Sequence, residues 1–263
     1  MLGFLSTPGC NPEGLPAPQD PRGSAILVST FYTAPMAGEI SPYKCEFIEF
    51  MVRAKVLTFG DFVTKSGRNT PYFVNTGRYR TGGQLTRLSE FYARAIRDQL
   101  GSNFDILFGP AYKGIPLASA TAMTLVRDHG HDVGFCFNRK EIKDHGEGGA
   151  LVGCVPEDGE RVVIIEDVTT AGTSIRETVP VLRAAADVQL AGLVVAVDRM
   201  ERGTGNETAL AEISSTWDMP TFAIVTVEEI MEHLHGHEVD GEVVLDEESY
   251  QRMVAYREEF GPR

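Results

Sequence analysis

The sequence predicts an α/β fold, a central parallel sheet flanked by helices, and three observations carry that reading. Five short apolar runs recur through the second half of the chain: FDILFG (104–109), VGFCFN (133–138), RVVIIED (161–167), LAGLVVAVD (190–198) and TFAIVTV (221–227). Helix-forming stretches separate several of them, notably 115–129 and 174–186. Continuous apolar strands alternating with helices belong to a parallel sheet covered on both faces. Finally, three of the runs lead into loops rich in glycine, hydroxyls and charge, at the strand ends where such sheets bind ligands.

The elements follow in order. Residues 1–42 carry Pro8, Pro12, Pro16, Pro18, Pro21, Pro35 and Pro42 among Gly, Ser and Thr. That composition predicts a disordered or appended extension, with neither the basic start nor the apolar stretch of a signal peptide. Met36 offers a natural start. Order is expected from about Tyr43, and the domain is read as 43–263. Phe47, Ile48, Met51, Val52 and Val56 recur at helical spacing, predicting an amphipathic first helix. Lys65–Asn75 reads as a turn-rich piece. Leu85, Leu88, Tyr92 and Ile96 mark one face of a second helix over 85–100. Pro180 is expected to kink or shorten the 174–186 helix. Residues 228–263 hold eleven acidic side chains against three arginines, which reads as a solvated face.

Bulk properties exclude several classes. A net charge of −13 disfavours a nucleic-acid partner, since phosphate binding needs a basic face. No run approaches the ~18 apolar residues of a membrane span, so a soluble cytoplasmic protein is expected. Cys10, Cys45, Cys136 and Cys154 show no CxxC pair, which points to reduced thiols. His233, His235 and His237 are read as a solvated polar loop, because no Cys or carboxylate pattern around them has ligand spacing.

The chemistry gathers in three loops. In VVIIEDVTTAGTS (162–174) a buried strand delivers Glu166 and Asp167 to its exposed end, and Val168 to Ser174 turn into a helix. Backbone N–H groups, hydroxyls and a helix dipole suit a phosphate, while carboxylates accept hydrogen bonds from sugar hydroxyls. Together they describe a sugar phosphate; a nucleotide hydrolase would need a GxxxxGK[ST] loop, and the chain has none. FGPAYKGIP (108–116) fixes a tight path around Lys113. FNRKEIKDHGEGG (137–149) concentrates Arg139, Lys140, Lys143 and His145 beside three glycines. A closing basic loop of this kind suits expulsion of a polyanionic leaving group.

These residues resemble the type I phosphoribosyltransferases, whose mark is an acidic pair followed by a TxxGxT-like loop. TKSGRNTPYFVN (64–75), FGPAYKGIP, FNRKEIKDHGEGG and VDRMERG (197–203) are similar to the orotate phosphoribosyltransferases, from about Tyr43 to AYREEFG (255–261). The resemblance implies a type I fold with a small N-terminal hood. It implies transfer of a phosphoribosyl group from phosphoribosyl diphosphate (PRPP) to orotate in pyrimidine biosynthesis.

Residue by residue, it implies that Lys65, Tyr112, Lys113, Arg139, Lys140, Lys143 and His145 bind PRPP. The loop Glu166, Asp167, Val168, Thr169, Thr170, Ala171, Gly172, Thr173 and Ser174 would hold ribose and 5-phosphate. Phe73, Val74, Thr170 and Arg199 would bind orotate. Lys143, His145 and Asp167 are the expected catalytic residues, with Lys143 and His145 at the departing diphosphate. Mg²⁺ would ride on PRPP, without direct protein ligands, and a homodimer would share the site, its lid crossing to the neighbouring subunit. The sequence departs from the family's pattern at Glu166, where Asp is usual, and at Val74, where Phe is common. A purine phosphoribosyltransferase and a PRPP-binding regulator stand as alternatives, the lid and Arg199 opposing the first and the complete lid the second.

Overall fold

A computed structural model describes residues 40–64, 67–140, 150–169 and 172–262. The extension therefore lies almost wholly outside the described residues. In chain order the elements are α1 (Pro42–Arg53), β1 (Leu57–Val63), β2 (Asn69–Val74), α2 (Gly82–Leu100), β3 (Ile106–Phe108) and α3 (Gly114–His129). They continue with β4 (Gly134–Asn138), β5 (Leu151–Gly153), β6 (Arg161–Glu166), α4 (Thr173–Ala185), β7 (Gln189–Asp198) and α5 (Ala209–Trp217). The last are β8 (Thr221–Thr226), α6 (Val227–Leu234), β9 (Glu238–Val239), β10 (Glu242–Val243) and α7 (Glu247–Phe260).

The main sheet has six strands in the order β5-β4-β3-β6-β7-β8. All neighbours are parallel except β4 and β5, which run antiparallel. The expected parallel sheet thus carries one antiparallel edge strand. β5 has three residues, and a strand that short leaves no periodic trace in sequence.

Burial on both faces explains the apolar runs. Along β6, Val163 and Ile165 belong to the core shared with α2 and α3, whereas Val162 and Ile164 belong to the core shared with α4 and α5. All four are fully buried, and each such side chain stabilises the fold by about 1.5–3 kcal/mol. An alternating strand would have covered one face alone.

Local signals set the helix ends. Thr81 and Gln84 form a capping box on α2, and Thr226 and Glu229 form another on α6. Gly130, left-handed, terminates α3. The first helix stops at Arg53, so Val56 lies beyond it, its N–H donating to the Met51 carbonyl at 2.9 Å. Pro180 does not shorten α4, which continues to Ala185. The ring sits on the exposed side while Ile175, Thr178, Val179 and Leu182 stay buried, so packing outweighs the lost hydrogen bond.

The N-terminal hood is an antiparallel hairpin, β1 with β2, pairing Leu57 with Val74 and Phe59 with Tyr72. This corrects the turn-rich reading of 65–75: Thr64 N–H donates to the Arg68 carbonyl at 2.9 Å and the strand begins at Asn69. Pro71 and Thr70 within the strand disguised it. The hood rests on α7 through an edge contact between Tyr72 and Tyr256, ring centroids 6.2 Å apart. No helix among the described residues is long and apolar enough to cross a membrane.

Candidate active site

The segment after β2, helix α2, the β3–α3 junction and the ends of β6 and β7 line one cavity of about 410 Å³, with Thr76, Arg80, Tyr92, Lys113, Leu117 and Asp167 among its walls. At its mouth Lys113 Nζ donates to Asp167 Oδ2 at 2.6 Å and to Thr76 Oγ1 at 3.1 Å. The Thr76 hydroxyl donates to the same Asp167 oxygen. Lys113 reaches this point because the β3–α3 loop is drawn tight: a Cβ on Gly109 would stand 2.0 Å from the Gly114 carbonyl oxygen, so both positions exclude side chains. The loop is also tied to β4, where Ala111 N–H donates to Asn138 Oδ1 at 2.8 Å.

Glu166 and Asp167 emerge from the end of β6, each under one-tenth exposed. The buried Tyr92 hydroxyl donates to the Glu166 carbonyl at 2.8 Å and fixes the strand end from α2. Burial, reinforced by the Asp167 charge, pushes the Glu166 carboxyl up to about 7. Burial also acts upward on Asp167, but hydrogen bonds from Lys113 and Thr76, with the Lys113 charge, outweigh it and hold Asp167 below the usual carboxylate range. The two adjacent carboxyls are thus driven apart, one poised near neutrality and one firmly ionised.

Beyond them, Gly172 takes a left-handed conformation and its N–H is held by Thr169 Oγ1 at 3.1 Å. α4 then begins at Thr173 with no side-chain cap. Its first N–H groups, at the positive end of the helix dipole, are of the kind that can receive an anion. Thr170 and Ala171 lie outside the described residues.

The basic loop is anchored at its two described ends. β4 and β5 pair Asn138 with Leu151, and Arg139 N–H donates to the Ala150 carbonyl at 2.8 Å. Lys140 approaches Glu177 of α4 at 4.0 Å. Lys143 and His145 fall outside the described residues, as does Lys65. Tyr112, by contrast, is exposed on the β3–α3 loop.

On the hood side, Arg199 is buried, its guanidinium 2.6 Å from Glu201 and 4.4 Å from the Tyr72 ring centroid. Tyr256 donates to the same Glu201 oxygen at 2.9 Å, and Arg68 lies 3.5 Å from the other. A further hydrogen bond, 3.4 Å from Arg199 to Thr70, ties the group to β2, which also carries Phe73 and Val74. Phe73 stacks on Phe62 at 5.5 Å. Phe73, Val74 and Arg199 are gathered at the hood but do not line the 410 Å³ cavity. Thr76, Arg80, Tyr92 and Glu201 are not among the site residues expected from sequence. Glu201 stands inside the 197–203 motif and Tyr92 on the apolar face of the second helix, while Thr76 directly follows the 64–75 segment.

Comparison with known proteins bears directly on this arrangement. The family model of the phosphoribosyl transferase domain matches residues 75–228. The orotate phosphoribosyltransferase of Lachnoclostridium phytofermentans is 58% identical over 219 residues, covering 83% of this chain and 97% of that protein. The chain belongs to the orotate phosphoribosyltransferase family. The orotate phosphoribosyltransferase of Thiobacillus denitrificans is 49% identical over 222 residues, 84% of this chain and the whole of that one. The crystal structure of the Francisella tularensis orotate phosphoribosyltransferase superposes with a TM-score of 0.70 at 36% identity, over 82% of this chain and 99% of that chain. The orotate phosphoribosyltransferase fold therefore spans the hood as well as the sheet.

Proposed function

We infer that this chain transfers the phosphoribosyl group of PRPP to orotate, yielding orotidine 5′-monophosphate and diphosphate in pyrimidine biosynthesis. The observation that carries this reading is the Glu166–Asp167 pair set between Lys113 and the uncapped start of α4. That spacing presents two carboxylates to ribose hydroxyls, N–H groups to a 5-phosphate, and a cation to a diphosphate. Orotate N1 forms the new bond to ribose C1 as the C1–O bond to diphosphate breaks, the electron pair leaving with diphosphate. Little covalent work falls to the protein, so positioning and electrostatics dominate. Lys113 must exchange Asp167 for the diphosphate, which frees the carboxylate for the ribose. Lys143 and His145 of the lid neutralise or protonate the departing group, and Arg199, held by Glu201 just after β7, supplies the positive charge assigned to orotate's carboxylate.

Mg²⁺ fits this site as a passenger on PRPP. The described protein donors there are two carboxylates, one already paired with Lys113, whereas Mg²⁺ takes six oxygens and keeps substrate and water among them. It would add positive charge at the diphosphate, with Glu166 and Asp167 reached through water. We also propose a cytoplasmic homodimer whose lid serves the neighbouring subunit. Exposed Met123 and Val126 on α3 and Phe135 on β4 support a surface that a second copy covers.

One assay tests the substrate. Protein, Mg²⁺ and PRPP are mixed with orotate, uracil or hypoxanthine, and loss of each base is followed; orotate alone should be consumed. Consumption of hypoxanthine alone would identify a purine enzyme, and no turnover would leave a PRPP-binding regulator. Lys143→Ala should lower kcat severely with unchanged folding, and wild-type turnover would sink the lid assignment. Mixing inactive Lys143→Ala and Asp167→Asn chains should restore part of the activity if the lid crosses between subunits.

A further inference from the structure

The histidine run at 233–237 is not a loop apart from the fold. His233 lies in α6, and His237 follows where the chain turns toward β9. The run meets a carboxylate from the first helix, 184 residues away in sequence. His233 Nε2 stands 3.3 Å from Glu49 Oε1, and His237 Nε2 stands 3.5 Å from the same oxygen. All three ligand atoms lie within 4.8 Å of one another. The two imidazole rings are tilted at 38° with centroids 4.8 Å apart, so they converge rather than stack.

These separations decide what the cluster suits. Ligands about 2.05 Å from a tetrahedral zinc ion stand about 3.3 Å from each other. Both nitrogen–oxygen edges already have that length, and the nitrogen–nitrogen edge needs at most a modest closure. The donor set, two imidazoles and one carboxylate, is one that zinc accepts, with a fourth position left to water. The other Glu49 oxygen is engaged by Arg53 at 2.9 Å, and Arg53 is itself held by Asp240 at 3.0 Å. Such outer contacts orient a ligating carboxylate and leave its inner oxygen facing the histidines. His233 and Glu49 are also largely buried, at 14% and 24% side-chain exposure. By contrast His235, between the two, points away and stacks on Tyr250 at 3.8 Å.

We propose that Glu49, His233 and His237 form a divalent transition-metal site of the zinc type. The ion would staple α1 to the end of α6 and the turn into β9. None of the three lines the cavity holding Lys113 and Asp167, so the ion's role is to hold the first helix of the domain, not to catalyse.

The test uses the full chain, untagged and stripped with chelator, titrated calorimetrically with Zn²⁺ alone and optically with Co²⁺ alone. One equivalent of Zn²⁺ should bind, Co²⁺ should give the intense visible bands of four-coordination, and the melting temperature should rise with Zn²⁺. His237→Asn, at a half-exposed position that cannot disturb the core, should weaken Zn²⁺ at least tenfold, and His233→Asn should do the same. His235→Asn should bind as wild type, and all three should keep wild-type phosphoribosyl transfer. Failure to bind an equivalent of Zn²⁺, or undiminished binding in His237→Asn with the fold intact by circular dichroism, would overturn the proposal.

Discussion

Two ion pairs flank the active site, and they are built in opposite ways. Lys113–Asp167 stands at the cavity mouth with the lysine side chain 63% exposed, whereas Arg199–Glu201 is sealed beneath the hood at 7% and 9%. The Lys113 ammonium is resolvated when it leaves, because its side chain reaches water, and the buried Asp167 keeps its hydrogen bond from Thr76. A buried arginine has no such recourse, since removal of its partner strands a charge in a poorly solvating interior. The open pair is therefore an exchangeable latch and the sealed pair a fixed frame; under the proposed function the first serves PRPP and the second the base. Substitution on the first side should spoil chemistry and spare the fold; substitution on the second should do the reverse first.

Four measurements press on that contrast, from the largest expected effect downward. Glu201→Gln should destabilise the protein by about 3–5 kcal/mol in chemical denaturation, because Arg199 is left buried without a counter-charge. A loss below about 1 kcal/mol would mean that the base side is as exchangeable as the sugar side. Asp167→Asn should lower kcat/KM by about 10²–10³-fold, the scale of losing one preorganised polar contact to the reacting sugar, with denaturation almost unchanged. Steady-state kinetics beside a melting curve separate the two outcomes.

The third measurement concerns pH. Glu166 carries a folded value of about 7 against 4.5 for the free side chain. A raised carboxyl retains its proton in the folded state after the unfolded chain has lost it, so stability should fall as pH rises from about 4.5 to about 7. PRPP affinity should move the other way across the upper part of that window, because only the carboxylate accepts from both ribose hydroxyls. Glu166→Gln should flatten both trends, and a slope that survives it belongs to another group. Asp167 acts oppositely: its stabilising contribution is present above the ordinary carboxylate range and disappears as pH falls through its lowered folded value. Smallest of all, Lys113→Ala should raise KM for PRPP about tenfold, the ~1.5 kcal/mol of one charge-assisted hydrogen bond, and lower stability by about 1–3 kcal/mol, because the buried Asp167 keeps its hydrogen bond from Thr76 but loses its cation.

How much of this was legible in sequence follows from the range of the forces involved. Val162–Ile165 could be read as a central strand because burial on both faces writes itself into consecutive residues. The loop after it was equally plain, since a phosphate seat needs hydroxyls, glycine and a helix start in one local run. β5, by contrast, is three residues paired to β4 and gains its shape wholly from that partner. β2 reads as a turn in sequence because Thr70 and Pro71 interrupt its apolar rhythm, although the hairpin with β1 supplies the hydrogen bonds. Arg199 was singled out without Glu201, two residues away, because nothing in sequence says that both side chains fold under one tyrosine. Glu49 stood no chance of being associated with His233 until α1 and α6 were packed together.

The contribution of α7 has a consequence for the order in which the protein can be made. Tyr256 supplies a hydroxyl to Glu201, and the Phe260 carbonyl receives the Arg202 N–H at 2.8 Å. Both groups reside in the final fourteen-residue helix. A nascent chain still lacking that helix already has every strand of the main sheet, yet Arg199 is unframed. Completion of the Arg199–Glu201 frame and of the hood's support therefore waits for α7, the last of these elements to be synthesised.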